Sequence, residues 1–189
     1  IDDALSVQGL GSGTVTVGIH IAAPGLAVQP GSPVDVLGRA RLSTVYMPGY
    51  KVTMLPDDVV QTYTLMEGRD CPAVSLYVTF DEATLEIKNS ETKLERVPIA
   101  HNLRHDQLDA VVTETWLLDP NFEHEVDSQP AYSLREQLSF LYRLARDLKA
   151  KREVVRGKPE TFNRPDYNFC LQSNAPAGSS ADGQKAEPQ

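Results

Sequence analysis

The chain has 189 residues, of which 41% are hydrophobic and 23% charged, and its formal net charge is −8. This length and balance suit a soluble globular domain with a real core. No run approaches the roughly 18 apolar residues that a membrane span needs, and no basic leader precedes an apolar stretch, so a cytoplasmic location is expected. Cys71 and Cys170 lie far apart without paired-ligand spacing, which suggests neither a disulfide framework nor a zinc site. The acidic balance, taken alone, argues against a phosphate-binding protein, because affinity for nucleic acid rests mainly on Lys and Arg.

The start at Ile1-Asp2-Asp3-Ala4-Leu5-Ser6 already reads into a strand, and we expect a fragment of a longer natural chain. From Ala4 to Ala22 apolar residues alternate around Gly11-Ser12-Gly13, which predicts a hairpin of Leu5–Val7 with Thr14–Ile21. A Pro- and Gly-rich loop follows. Asp35 is then placed to cap a short helix over Val36 to Leu42. The segment Thr44–Tyr50 reads as a loop that turns the chain toward Met54-Leu55-Pro56, with Tyr46 and Tyr50 as candidates for outside contact.

Strands are predicted at Ala73–Phe80 and Thr84–Lys88, with a third near Lys93–Ile99, in a mostly antiparallel sheet. A helix from Asp106 to about Trp116 would bring Leu108, Val111, Val112 and Trp116 to one face, and Leu118 to Pro130 reads as a polar connection. The next helix is expected to open on a Ser133/Glu136 capping box, to carry Leu134, Leu138, Leu141, Ala145 and Leu148 as its apolar stripe, and to end at Gly157. Its other face carries Arg135, Arg143, Arg146, Lys149, Lys151, Arg152 and Arg156. Such a run is often only a solvated face, but it can also contact phosphates. After a last strand around Tyr167–Leu171, residues 173–189 read as a linker or disordered insertion, leaving 1–172 as an α+β domain.

Successive side chains of a strand leave on opposite faces, so Asp2 and Asp3 can reach two different ligands, and two hard oxygen donors suit Mg²⁺. On residue types alone the pair is more often a solvated strand edge. His101 and His105, four apart, would make a metal pair on a helix, although a loop and helix start is the plainer reading. His20 is read as a structural residue inside its strand.

Ile1-Asp2-Asp3-Ala4-Leu5-Ser6-Val7, Val17–Ala22, Pro30–Asp35, Ser43–Pro48 and Met54-Leu55-Pro56 stand in the order, and nearly the spacing, of the catalytic (RNB) domain of ribonuclease II and ribonuclease R, which this chain resembles. Arg164-Pro165-Asp166-Tyr167-Asn168-Phe169 is also similar to a segment of ribonuclease II. The likeness is dense over residues 1 to 56 and thin from 90 to 130.

That resemblance implies the N-terminal part of a Mg²⁺-dependent 3′→5′ exoribonuclease, monomeric, which hydrolyses single-stranded RNA to nucleoside 5′-monophosphates. Four acidic residues gather the metal in that family; Asp2 and Asp3 match the last two, as catalytic and metal-binding residues, and the first two would precede Ile1. With half the motif, the chain as it stands is expected to hold Mg²⁺ poorly and not to hydrolyse RNA. Tyr46 matches an aromatic residue that stacks on the bases at the 3′ end, and His105 falls where relatives carry a second RNA-contacting Tyr. Independently of the resemblance, Lys149 and Arg152 on the basic helix are candidate RNA contacts. Departures occur at Ala23-Pro24-Gly25 and at Val59–Leu65, and they leave open a catalytically inactive relative that serves as an RNA-binding or regulatory module.

Overall fold

The computed structural model describes residues 1–104, 108–109, 111–119, 122 and 130–161. In chain order its elements are strands β1 (Asp3–Gln8) and β2 (Thr14–Ala22), helix α1 (Pro33–Arg41), strands β3 (Val45–Met47) and β4 (Tyr50–Val52), helix α2 (Asp57–Tyr63), strands β5 (Asp70–Asp81) and β6 (Ile87–Pro98), and helices α3 (Glu114–Leu118), α4 (Pro130–Ser133) and α5 (Arg135–Arg156). They fall into two compact units, one of Ile1–Pro24 with Gln61–Thr161, the other described over Gly25–Val60. No helix among the described residues is long and apolar enough to cross a membrane.

The first unit is a four-stranded antiparallel sheet in the order β1-β2-β5-β6 with helices packed on it, the α+β arrangement expected. The β1–β2 hairpin forms in the anticipated place, with Leu5 opposite Ile19 and Val7 opposite Val17. Its connection holds Gly9, Gly11 and Gly13 at positive φ, where other residues are strained. Glu82, in the β5–β6 turn, accepts hydrogen bonds from the Gly11 and Gly13 amides at 2.7 and 2.9 Å, so the two turns brace one another.

The two strands expected after β5 are one. β6 runs unbroken for 12 residues, and Thr84 belongs to the preceding turn. Lys88 to Lys93 is almost wholly polar because β6 is the sheet's edge and this stretch is exposed on both sides, so it carries no alternation for a sequence reading to find.

Helix α5 covers one end of one sheet face: Phe140 and Leu144 are buried on Val15, Val17 and Phe80, flanked by Leu141 and Leu148. The stripe is therefore centred on Phe140 and Leu144 rather than on Leu138 and Ala145. Gly157, at φ 68°, ends the helix as anticipated. Its start differs from expectation. Pro130–Ser133 is already a helical turn, Leu134 is the N-cap residue, and no side chain caps α5, so the Ser133/Glu136 box does not form. Instead Arg135 donates to the carbonyls of Trp116 and Asp119, tying α5 to α3. Helix α3 begins only after Thr113, whose hydroxyl accepts from the Trp116 amide; Val112 and Thr113 lie outside it, and residues 106, 107 and 110 of the longer helix expected from Asp106 lie outside the described residues. So do the expected strand at 167–171, the segment 164–169, Cys170 and the tail 173–189.

On the opposite sheet face Leu65, Cys71, Ala73, Val97 and Ile99 form a second cluster against Ala4 and Ala22. Beside it, in mid-sheet, lies a polar chain around His20, which is 1% exposed. The imidazole Nε2 is 2.9 Å from Ser6 Oγ of β1, and Nδ1 is 2.8 Å from Ser75 Oγ of β5. The hydroxyls of Ser75 and Tyr77 both hydrogen-bond Glu95 and hold its carboxyl below the usual carboxylate range. If Ser75 donates to Glu95, its oxygen must accept from Nδ1–H, which leaves Nε2 to accept from Ser6: the neutral ring satisfies every group. Lys93 sits over the Tyr77 ring and pairs with Glu91. Gly18 makes room for this chain, since a Cβ there would lie 2.7 Å from His20 Nε2.

The second unit contains α1 and the β3–β4 hairpin. Ser32, rather than Asp35, is the N-cap of α1: its hydroxyl accepts from the Asp35 amide, and Pro33 occupies the first turn, where its missing N–H costs nothing. The Asp35 carboxylate reaches back to accept from the Gly31 amide at 2.7 Å, a bond that holds its pKa below the ordinary value. Gly38 packs under Met54 and Leu55.

Phe140→Ala should cost about 3–5 kcal/mol by removing the side chain at the centre of the helix–sheet contact, whereas Leu94→Ala, at a site 62% exposed, should change stability by less than about 0.5 kcal/mol; urea unfolding of both variants checks the contrast. Burial holds the His20 imidazole below its ordinary value, with Glu95 pulling the other way. Below pH about 6.5 the unfolded chain therefore takes up a proton that the folded chain resists. Stability is full above that pH and falls as the pH drops toward the folded pKa. His20→Gln should flatten this slope between about pH 7 and 5, read from unfolding curves at each pH.

Candidate metal and nucleic-acid site

Asp2 and Asp3 stand at the head of the edge strand β1. The Asp2 carbonyl accepts from the Ala22 amide at 2.8 Å, and Asp3 pairs with Ile21, so the ladder with β2 fixes both backbones. Register puts Asp3 on the face of Leu5, Ile19 and Ile21, in the part where those side chains are exposed, and alternation sends Asp2 to the other face. Both residues are exposed, and among the described residues neither carboxylate has a hydrogen-bond or ion-pair partner. Hard, unpaired carboxylate oxygens fit Mg²⁺ in kind. They are incomplete in number: among the described residues no group of three His, Cys, Asp or Glu gathers around a common point.

Tyr46 lies in β3, within a short hairpin where the sequence suggested a loop. β3 and β4 pair Val45 with Val52, Tyr46 with Lys51 and Met47 with Tyr50, around a Pro48-Gly49 turn whose glycine has φ 70°. Tyr46 and Lys51 thus share one face of the hairpin, and Val45, Met47, Tyr50 and Val52 share the other. Tyr46 is 70% exposed, so its ring is available for stacking rather than packed beside Pro48.

The cations of α5 are largely balanced by acids. Arg146 pairs with Glu114 at 2.8 Å, Lys151 with Asp147 at 2.7 Å, Arg152 with Glu160 at 2.9 Å and Lys149 with Glu153 at 4.0 Å. Arg156 also reaches Glu160, whose carboxyl is held below its ordinary value first by the hydrogen bond from Arg152. Lys149 and Arg152 are solvent-facing but not free. His101 lies outside any helix, 3.6 Å from Glu67, whose carboxylate also accepts from the Asn102 amide; His105 lies outside the described residues. Lys51, whose place opposite Tyr46 only the hairpin reveals, was not singled out from the sequence. A Tyr–Met–Pro–Gly–Tyr–Lys string flanked by Val on both sides was the available signal.

An antiparallel sheet faced with helices, with two unpaired aspartates at the head of its edge strand, in a chain that also carries a hairpin with an exposed tyrosine, points to a class that comparison identifies. The chain matches the RNB domain model over residues 1–185 and belongs to that family. It is 30% identical over 184 residues to Exoribonuclease 2 of Pectobacterium atrosepticum, covering 90% of this chain and 25% of that protein. Its fold is similar to that of yeast Ssd1, described as a pseudonuclease, with TM-score 0.64 and 27% identity over 85% of this chain and 17% of the other. It is also similar in fold to Mycoplasma genitalium RNase R, solved in complex with double-stranded RNA, with TM-score 0.61 and 22% identity over 80% of this chain and 26% of the other. The chain therefore spans about a quarter, or less, of the length of these relatives.

If Tyr46 is held free for a ligand, Tyr46→Ala should change stability by no more than about 0.5 kcal/mol. A loss above about 1 kcal/mol in thermal unfolding would instead mark it as a packing residue.

Proposed function

We propose that the intact protein to which this chain belongs is a Mg²⁺-dependent hydrolytic exoribonuclease that degrades single-stranded RNA from its 3′ end to nucleoside 5′-monophosphates. The observation that carries this reading is the pair of exposed, unpartnered carboxylates of Asp2 and Asp3, held by the β1–β2 ladder in a chain of the RNB family. Asp2 and Asp3 would hold the ion, with oxygen donors from outside the described residues completing its shell. When bound, the metal supplies a Lewis acid that lowers the pKa of the attacking water and neutralises charge on the leaving 3′ oxygen.

This chain's own contribution is positional. The ladder fixes the Asp2 and Asp3 backbones, so only the two carboxylate rotamers would have to be ordered when the ion arrives. Tyr46 offers a stacking platform, worth on the order of 1–3 kcal/mol per base and indifferent to sequence, as a general RNA degrader requires. Contact at Lys149 and Arg152 would exchange Glu153 and Glu160 for phosphate, and His105 is retained as a further candidate. RNA as the partner is supported by the similarity to exoribonucleases and to RNase R.

One observation favours a second reading: yeast Ssd1 shares the fold at 27% identity and is described as a pseudonuclease. On that reading the protein binds RNA without cleaving it. Asp3→Asn in the intact protein distinguishes the two. The enzyme reading expects the parent to release mononucleotides from labelled single-stranded RNA, and the variant to lose about a hundredfold or more in rate while RNA affinity persists, since one metal ligand is removed. A parent that binds RNA and releases no mononucleotide in Mg²⁺ supports the second reading instead.

A further inference from the structure

We propose that Lys51 is an RNA-contacting residue, which holds the phosphate beside a base stacked on Tyr46. The inference rests on Tyr46 being a stacking residue, and it adds the electrostatic half of that contact.

Three observations carry it. The first is register: Tyr46 and Lys51 are directly opposite in the β3–β4 ladder. Residues so paired project from the same face with their Cβ atoms about 4.5–5.5 Å apart, so the exposed ring and the half-buried lysine leave the ladder side by side, and the long lysine side chain can reach past the ring. The second is charge. Among the described residues Lys51 has no acidic partner and no hydrogen bond, in contrast to Lys149 and Arg152, which face Glu153 and Glu160. In a chain of net charge −8 an uncompensated cation beside an exposed aromatic ring is a local exception to the general repulsion of phosphate. The third is rigidity. The Pro48-Gly49 turn and the paired strands hold the two backbones in one relation, so on binding only the side-chain rotamers remain to be ordered. An aromatic ring with a cation at its side is the combination by which single strands are gripped without reading their sequence, the ring taking the base and the cation the backbone.

The geometry gives no reason for Lys51 to select a base, so its contribution should be the same for every sequence and should depend on salt. Neutralising one phosphate of a single strand contributes about −0.7 to the slope of log K against log salt, or about fourfold in affinity near 0.15 M salt.

The test is the affinity of the intact protein for 5′-labelled oligo(U) and oligo(A), measured across a salt series in Ca²⁺ or EDTA to prevent cleavage. Lys51→Met should weaken binding about fourfold for both oligonucleotides and reduce the magnitude of the salt slope by about 0.7. Lys51→Arg should retain both, which separates a lost phosphate contact from a damaged hairpin. Lys158→Met removes another cation that has no acidic partner among the described residues, and should leave the slope unchanged. The proposal is overturned if Lys51→Met has the parent's affinity and slope, or if Lys158→Met reduces the slope equally, which would show a mere effect of net charge. If Tyr46→Leu weakens binding while Lys51→Met does not, the stacking role survives and the proposal for Lys51 alone fails; if neither variant weakens binding, the role of the hairpin in RNA contact fails with it.

Discussion

Strand β2 has to satisfy a partner on each edge at once, and that double pairing determines where everything else in the first unit can lie. β1 takes one edge and β5 the other, and His20 links all three through Ser6 and Ser75. Gly18 is the point at which a side chain would collide with that link. A one-residue slip of β1 along β2 would invert every side chain on it, moving Asp3 from one sheet face to the other. The buried histidine, through its bond to Ser6, is thus one of the contacts that fix the β1–β2 register on which the direction of Asp3 depends. The helix–sheet contact at Phe140 and Leu144 completes the constraint by burying one end of the face from which Asp3 projects at the other.

Electrostatics is organised so that most cations are already used. Exposed ion pairs of the kind seen along α5 each contribute about 0–1 kcal/mol, so their larger effect is to leave that helix with little net field for a polyanion. Among the described residues the carboxylates of Asp2 and Asp3 in one unit, and Lys51 in the other, are charges without an ion-pair partner. On the proposed reading a divalent ion held by these carboxylates would invert the local sign, which is how an acidic chain could attract phosphate.

Much of this was legible in the sequence. The glycine-punctuated alternation of residues 4–22 marks the hairpin, and Gly157 marks the end of α5, because each depends on local backbone chemistry. The start of α5 was not legible, since the groups that secure it are the carbonyls of Trp116 and Asp119, contacts with no local signature. Edge strand β6 was broken in two because a polar strand lacks the period that betrays it. At the site, Asp2 and Asp3 could be named from their place in an ordered set of segments, and Tyr46 likewise, but which neighbours they have is a matter of pairing. Lys51 becomes visible only when residue 46 is known to face residue 51.

The proposal that Asp2 and Asp3 are ligands of a catalytic metal is tested most directly by a structure of the intact protein with Mg²⁺ and a non-cleavable single-stranded RNA. The expected result is an ion with oxygens of Asp2 and Asp3 in its coordination sphere at about 2.1 Å, touching the phosphate at the RNA 3′ end. An ion held by other residues, with both carboxylates turned to solvent, would contradict it.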